Sequence, residues 1–325
     1  MARFRGGIVQ PLGAAASGDD SIGGPHTIGE SLDPRLAFGE GFATALAAIA
    51  LQEPQYCDTN APMLSGGFGL DTEGSNSGEQ GFYNEMSVAT FIYDLWDTDV
   101  DGTDDGSIGF EPIYDTMTGP QRTTAAFTTL FSFATALRSS LSGADLAFVD
   151  TQLTRENIDL GNLNIYGDGQ TTQPAGARDV IPVYTDLPVD GTPLNICVNS
   201  DFDSGRGGNK LAEYRFLRIT TTASSTTYTI TIVPNPVPPP TTDEQPPPPA
   251  DPIVIRDRSD PDMFIWLNGG LVAYGISGVD DFETFTTQEL SAGSYVAEIQ
   301  EWRYSDEDAS SDFPEQICFD ITMSP

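Results

Sequence analysis

Histidine is nearly missing from this chain: among 325 residues there is one, His26. A Ser-His-Asp or Cys-His arrangement would have to use it, and no His-rich metal cluster can form. Cations are also scarce, with 14 Lys and Arg against 48 Asp and Glu, for a net charge of −34. Such a surface repels phosphate backbones and anionic lipids, so nucleic acid and acidic membranes are disfavoured as partners, while solubility and cation binding are favoured. It also suits a salty or extracellular setting. No apolar run reaches the roughly 18 residues of a membrane span. Three cysteines are too few for a dense disulfide framework and leave one odd thiol. Gly207-Gly208-Asn209-Lys210 lacks the spacing of a phosphate loop. The opening residues, MARFRGGIVQPLGAAASGDD, contain no sustained apolar segment of the kind a signal peptide needs.

What is present centres on Asp33 to Leu51, DPRLAFGEGFATALAAIAL. Asp33 suits an N-cap and Pro34 the first helical position. From Leu36 onward nearly every side chain is apolar or tiny, which predicts a helix covered on most sides. Glu40 and Thr44 break the pattern and, four residues apart, share a face. A buried carboxylate there requires a cation, a donor or a proton. Gly39 and Gly41 flank Glu40 at a cost of about 1 kcal/mol each relative to alanine, which makes sense if another backbone or a ligand comes close. The plainer alternative is a Glu paired with an Arg inside a helical layer.

Glu40-Gly41-Phe42-Ala43 resembles the E-G-x-A segment of gluzincin-type zinc peptidases, in which the Glu is the third zinc ligand. The wider text, Asp20-Ser21-Ile22-Gly23-Gly24-Pro25-His26 and then Asp33 to Gly41, resembles a group of secreted bacterial metallopeptidases with an H-E-x-x-H helix just upstream. The resemblance implies that Glu40 descends from a zinc ligand, that zinc is the cofactor of intact relatives, and that their substrates are proteins or peptides. This sequence contains no H-E-x-x-H, so two ligands and the general base are not in it. His26 lies in a Gly-Pro turn, and the resemblance gives it no ligand role. Because the family-like text begins near Asp20, the DNA upstream of Met1 is expected to encode H-E-x-x-H in some reading frame, and the first 19 or so residues are expected to be foreign to the fold.

Residues 1–25 have no periodicity and are expected to be disordered. Glu53 to Gln80, rich in Gly, Asn and Ser, reads as a long loop carrying Cys57. A second helix is predicted over 84–96, with apolar residues on two stripes. Glu85 suits its N-terminus, and by position it is also a candidate for the cleft beside Glu40. Asp97, Asp99, Asp101 and Gly102 then match positions 1, 3, 5 and 6 of a calcium-binding EF-hand loop, and Asp105 adds another carboxylate. Position 12 is Ile108 rather than Glu, and no exiting helix is expected over 109–119. A solvated acidic loop and a weak calcium site both remain open. A third helix is expected from about Pro120 to Leu141, followed by irregular chain from Gln152 to Gly191.

From about Leu194 the apolar period changes to two, as at 214–220, 228–232, 263–267, 295–299 and 317–321. Short alternating strands with frequent turns read as an antiparallel β-sandwich. Asp260 to Ile265, Glu283-Thr284 and Leu290 to Val296 resemble the bacterial pre-peptidase C-terminal domain, a small sandwich appended to secreted peptidases. The proline runs of 234–252 read as an extended spacer within it. Cys197 and Cys318, near the two ends of the sandwich, can be bridged in an oxidising compartment, leaving Cys57 as the free thiol.

The expected architecture is α+β and multidomain: a tail over 1–25, a partial, helical metallopeptidase-like domain over 26–190, and a sandwich over 191–325. The expected function is the C-terminal part of a secreted zinc metallopeptidase, inactive as this chain. The alternative is an extracellular, calcium-dependent binding or adhesion module without enzymatic activity.

Overall fold

The computed structural model describes residues 26–59, 66–73, 78–98, 105–200, 209–222, 224–235, 259–278, 282–305 and 314–325. The 1–25 tail, Asp99, Asp101 and all but the start of the 234–252 spacer lie outside these residues.

Helix α1, Pro34–Leu51, starts where the sequence predicts: the Asp33 side chain accepts from the Arg35 N–H, with Pro34 in the first turn. Helix α2, Glu85–Trp96, is capped by Asn84, which accepts from the Met86 and Ser87 N–H groups. The two helices cross at Gly41. A Cβ there would stand 2.3 Å from the Glu85 carbonyl oxygen and 2.6 Å from the Val88 Cβ. Helix α1 is therefore buried on the side that carries Gly41, Phe38, Phe42 and Ala45. Most of the helix is buried or half-buried, as expected, but the Glu40 side chain is exposed where a buried carboxylate is expected, and Ala50 and Leu51 are exposed at the C-terminal end. Alanine tolerates a half-open face as readily as a closed one, so its abundance did not report the exposure of Glu40.

Between these helices, part of the expected loop is a hairpin. Strand β1, Gln55–Thr59, pairs antiparallel with β2, Gly67–Asp71, with Tyr56 opposite Leu70. Three further helices follow: α3, Phe110–Thr118; α4, Leu130–Ser140; and α5, Gly143–Arg155. The first was not expected because of Pro112. That residue is the third of the helix, within the turn whose N–H groups have no intrahelical acceptor, so proline costs nothing there. The single helix expected over 120–141 is split. A 3₁₀ turn at Pro120–Thr123 ends it, and α4 restarts at Thr129, whose N–H donates to the Ser132 hydroxyl. Helix α5 is not expected from the sequence, which reads as irregular from Gln152, within the helix.

The remaining strands form two sheets. The first has the order β3-β5-β10-β7-β8: Tyr184–Asp186, Tyr214–Thr221, Gly293–Glu301, Pro261–Leu267 and Gly270–Gly275. The second is β4-β11-β6-β9: Leu194–Asn199, Gln316–Ser324, Thr229–Asn235 and Glu283–Thr286. All pairings are antiparallel except β3 with β5. Leu217, Ile219, Ile265, Ala297 and Ile299 face Ile230, Ile232, Phe319 and Ile321 in the core between the sheets. The opposite face of the first sheet, with Tyr214, Phe216, Trp266 and Val296, shares a second core with the helices. This explains the two burial patterns. Strand β11 alternates strictly between buried and half-buried, whereas seven consecutive residues of β10 are buried.

The result is three layers, helices on sheet on sheet, in an α+β fold. The helices do not close a core of their own, and β3, drawn from within 26–190, belongs to the first sheet. Arg35 fastens the layers. Its guanidinium is bidentate to Asp33, at 2.9 and 3.0 Å, and also donates to Glu298 of β10. Phe127, Tyr214 and Phe216 ring it at 4.8–5.0 Å. Burial lowers its pKa, but the Asp33 and Glu298 charges outweigh that and raise it. The Arg-carboxylate pairing considered for Glu40 is thus made by Asp33 and Glu298. Cys197 of β4 and Cys318 of β11 face each other in register and are disulfide-bonded; Cys57 is free and exposed.

Candidate functional site

Two groups of side chains lie at opposite ends of α2, about 18 Å apart by helix length. At the N-terminal end the Gly41 crossing sets Glu40, on the open face of α1, beside the first turn of α2. Glu85 lies in that turn and is 6% exposed. Its Oε2 is 3.4 Å from His26 Nε2, and its Oε1 is buried with no hydrogen-bond partner. Tyr56, from the hairpin, completes the group. Its hydroxyl is raised in pKa, first by desolvation and then by the charges of Asp58, Glu40 and Glu85. The structure thus brings Glu40 and Glu85 to one side, together with two residues, His26 and Tyr56, that the sequence did not tie to them.

At the C-terminal end Glu73, Asp94 and Asp97 each offer a carboxylate oxygen, and these oxygens lie within 4.8 Å of one another. Asp94 and Asp97 are buried and Glu73 is half-buried. Asp97 caps the helix, where the carbonyl ends of the backbone disfavour negative charge. Arg155 of α5 offsets part of it, 3.0 Å from Asp94 Oδ2. The loop returns against α2 through Ser107, whose hydroxyl donates to the Leu95 and Trp96 carbonyls. Of the proposed calcium ligands, Asp97 is in this group, Asp105 is exposed, and Asp99 and Asp101 lie outside the described residues. The sequence reading missed Asp94 and Glu73. Asp94 precedes Asp97 by three residues on a helix, a spacing that puts both on one face. Glu73 carried no local signal, because the hairpin delivers it.

A third set of acids is buried in and beside the sandwich. Glu213, Asp262 and Glu301 are each pushed up to about 7, chiefly by desolvation. Glu301 accepts from the Ser259 hydroxyl and the Asp260 N–H, and Glu213 accepts from the Lys210 N–H. These bonds tie chain segments together.

No protein-family model matches the chain, and no curated protein does. Among the described residues, no helix is long and apolar enough to cross a membrane. The structure is similar to a β-glucosidase from Paenibacillus barengoltzii at 11% identity and a TM-score of 0.15, over 61% of this chain and 20% of that one. It is also similar to the pre-peptidase C-terminal domain of a collagenase from Bacillus anthracis at 8% identity and a TM-score of 0.25, over 43% of this chain and 91% of that one. At these scores neither likeness assigns a family or an activity, and nothing in them supports a metallopeptidase origin for the helical layer.

Proposed function

We propose that this is an exported, peptidase-derived protein in which Glu40 descends from a zinc ligand, and that the chain by itself does not hydrolyse peptide bonds. The observation that carries the reading is the Glu40-Gly41 step. Gly41 admits the α2 backbone, and the charges of Glu40 and Glu85 both act on the Tyr56 hydroxyl, in keeping with the resemblance of E-G-F-A to a zinc-peptidase segment. The Cys197–Cys318 bridge suits an oxidising compartment. In intact relatives the histidines of H-E-x-x-H and the Glu40 counterpart would hold zinc, which polarises water for attack on a protein or peptide. The residues present do not fit that centre. The sequence has one histidine, and Glu40 belongs to no trio of ligands within 4.8 Å among the described residues. No hydrolytic step is therefore assigned. The purified chain is expected to leave casein intact and to retain as much zinc as its Glu40→Gln variant. Reading the DNA upstream of Met1 is expected to reveal H-E-x-x-H in some reading frame. Stoichiometric zinc that depends on Glu40 would sink the proposal, and the lack of such a motif in every frame would shift it to a binding module.

The second reading is a calcium-dependent extracellular binding module. It is favoured by the convergence of Glu73, Asp94 and Asp97 beside the acidic run, with α3 leaving the loop at Phe110. Oxygen donors of this kind suit calcium. Calcium at about a hundred times its dissociation constant should stabilise the fold by roughly 2.7 kcal/mol. Melting temperature in calcium and in chelator is expected to differ for the parent chain and to coincide for Asp97→Asn and Asp99→Ala. Coincident melts for the parent would remove this reading.

A further inference from the structure

We infer that His26 and Glu85 form a binding site for one divalent transition-metal ion of the zinc class, distinct from the peptidase centre of the resembling family. Three observations carry it.

The first is the separation. A charge-assisted hydrogen bond between an imidazole and a carboxylate draws the heavy atoms to about 2.7–2.9 Å. His26 Nε2 and Glu85 Oε2 stand at 3.4 Å instead. Two ligand atoms each about 2.0–2.1 Å from a tetrahedral ion lie roughly 3.3–3.4 Å apart. The spacing fits two donors sharing an ion.

The second is the other oxygen. The Glu85 side chain is 7% exposed, and its Oε1 is buried with no hydrogen-bond partner. A buried carboxylate oxygen left this way costs free energy. An ion held by the same carboxylate removes that cost.

The third is the donor set. One imidazole nitrogen with carboxylate oxygen suits zinc, cobalt or manganese in preference to calcium, which takes oxygen donors. Asp58, Glu40 and Glu85 all act on the Tyr56 hydroxyl, so the surroundings are strongly negative. Among the described residues no third His, Cys, Asp or Glu completes a preformed trio with His26 and Glu85. Water fills the remaining positions, and the site is of modest affinity. Local sequence cannot show it, because 59 positions separate the two ligands.

The test uses the full chain, stripped with chelator and titrated with cobalt(II), whose visible absorption reports nitrogen and oxygen ligation, and with zinc in a calorimeter. One ion per chain is expected. His26→Ala and Glu85→Gln should each weaken binding at least tenfold, while Glu40→Gln and Asp97→Asn change it less than threefold. If Glu85→Gln fails to fold, His26→Asn, at the more open end of the pair, decides alone. Binding unaffected by the His26 variants, or no binding by either metal, overturns the site. The inference stands apart from the peptidase reading, which fails on Glu40-dependent zinc; this one fails on His26 and Glu85.

Discussion

Gly41 does at the residue scale what the composition of α1 could only suggest. The sequence placed two glycines around Glu40 and asked what came close. The answer differs for the two. Gly41 has the α2 backbone against it, whereas a Cβ on Gly39 would meet nothing within 4 Å. Gly41→Ala must therefore push the helices apart, at a cost of about 1–3 kcal/mol for overpacking. Gly39→Ala gains helix propensity and is expected to stabilise by up to about 1 kcal/mol. Urea unfolding of both variants checks the contrast; equal effects would mean that the close crossing is not there. Glu40 itself was legible as an exception in an apolar run. Its exposure was not, since neighbouring alanines read the same on a covered face and on an open one.

At the scale of elements, helices with strong caps were readable and those with ambiguous starts were not. Asp33-Pro34 and Asn84 announce α1 and α2, and both begin where expected. Pro112 hid α3, because a proline in the first turn looks the same in sequence as one that breaks a helix. The hairpin was hidden because its glycines lie in the strand β2 itself, where pairing with β1 outweighs their poor propensity. In the second sheet, the bond between Cys197 and Cys318 joins β4 to β11 across a sequence separation of 121 residues. Closing a loop of that length in the unfolded chain should contribute about 2–5 kcal/mol of stability. Denaturant melts with and without reductant, and of the Cys197→Ala/Cys318→Ala double variant, are expected to show a loss in that range. Reduction should leave the double variant unchanged, and a response there would point to Cys57.

For the whole molecule, acidity sets the response to pH. Glu213, Asp262 and Glu301 titrate near 7 when folded, against ordinary values of 4.5, 3.8 and 4.5. A carboxyl raised by folding binds more protons in the folded state. Its stabilising contribution is full below the unfolded value and is lost as pH climbs through the folded one. Stability should therefore fall between about pH 4.5 and pH 7, and the self-repulsion of 48 acids acts in the same direction. Thermal melts at pH 5 and pH 8 should show the higher midpoint at pH 5, and Glu301→Gln should shrink the difference. A higher midpoint at pH 8 would contradict these buried acids. The sequence by itself determined the polarity of the molecule, the two opening helices and the alternating strands, because each is written in neighbours a few residues apart. Only the tertiary structure decided that the helices lie on the first sheet instead of closing their own core. The same holds for Arg35, which reaches Glu298, for Glu73, which joins Asp94 and Asp97, and for Glu85, which meets His26. Each of these contacts joins residues far apart in the chain, and hydrophobic periodicity records which face is buried without recording what covers it.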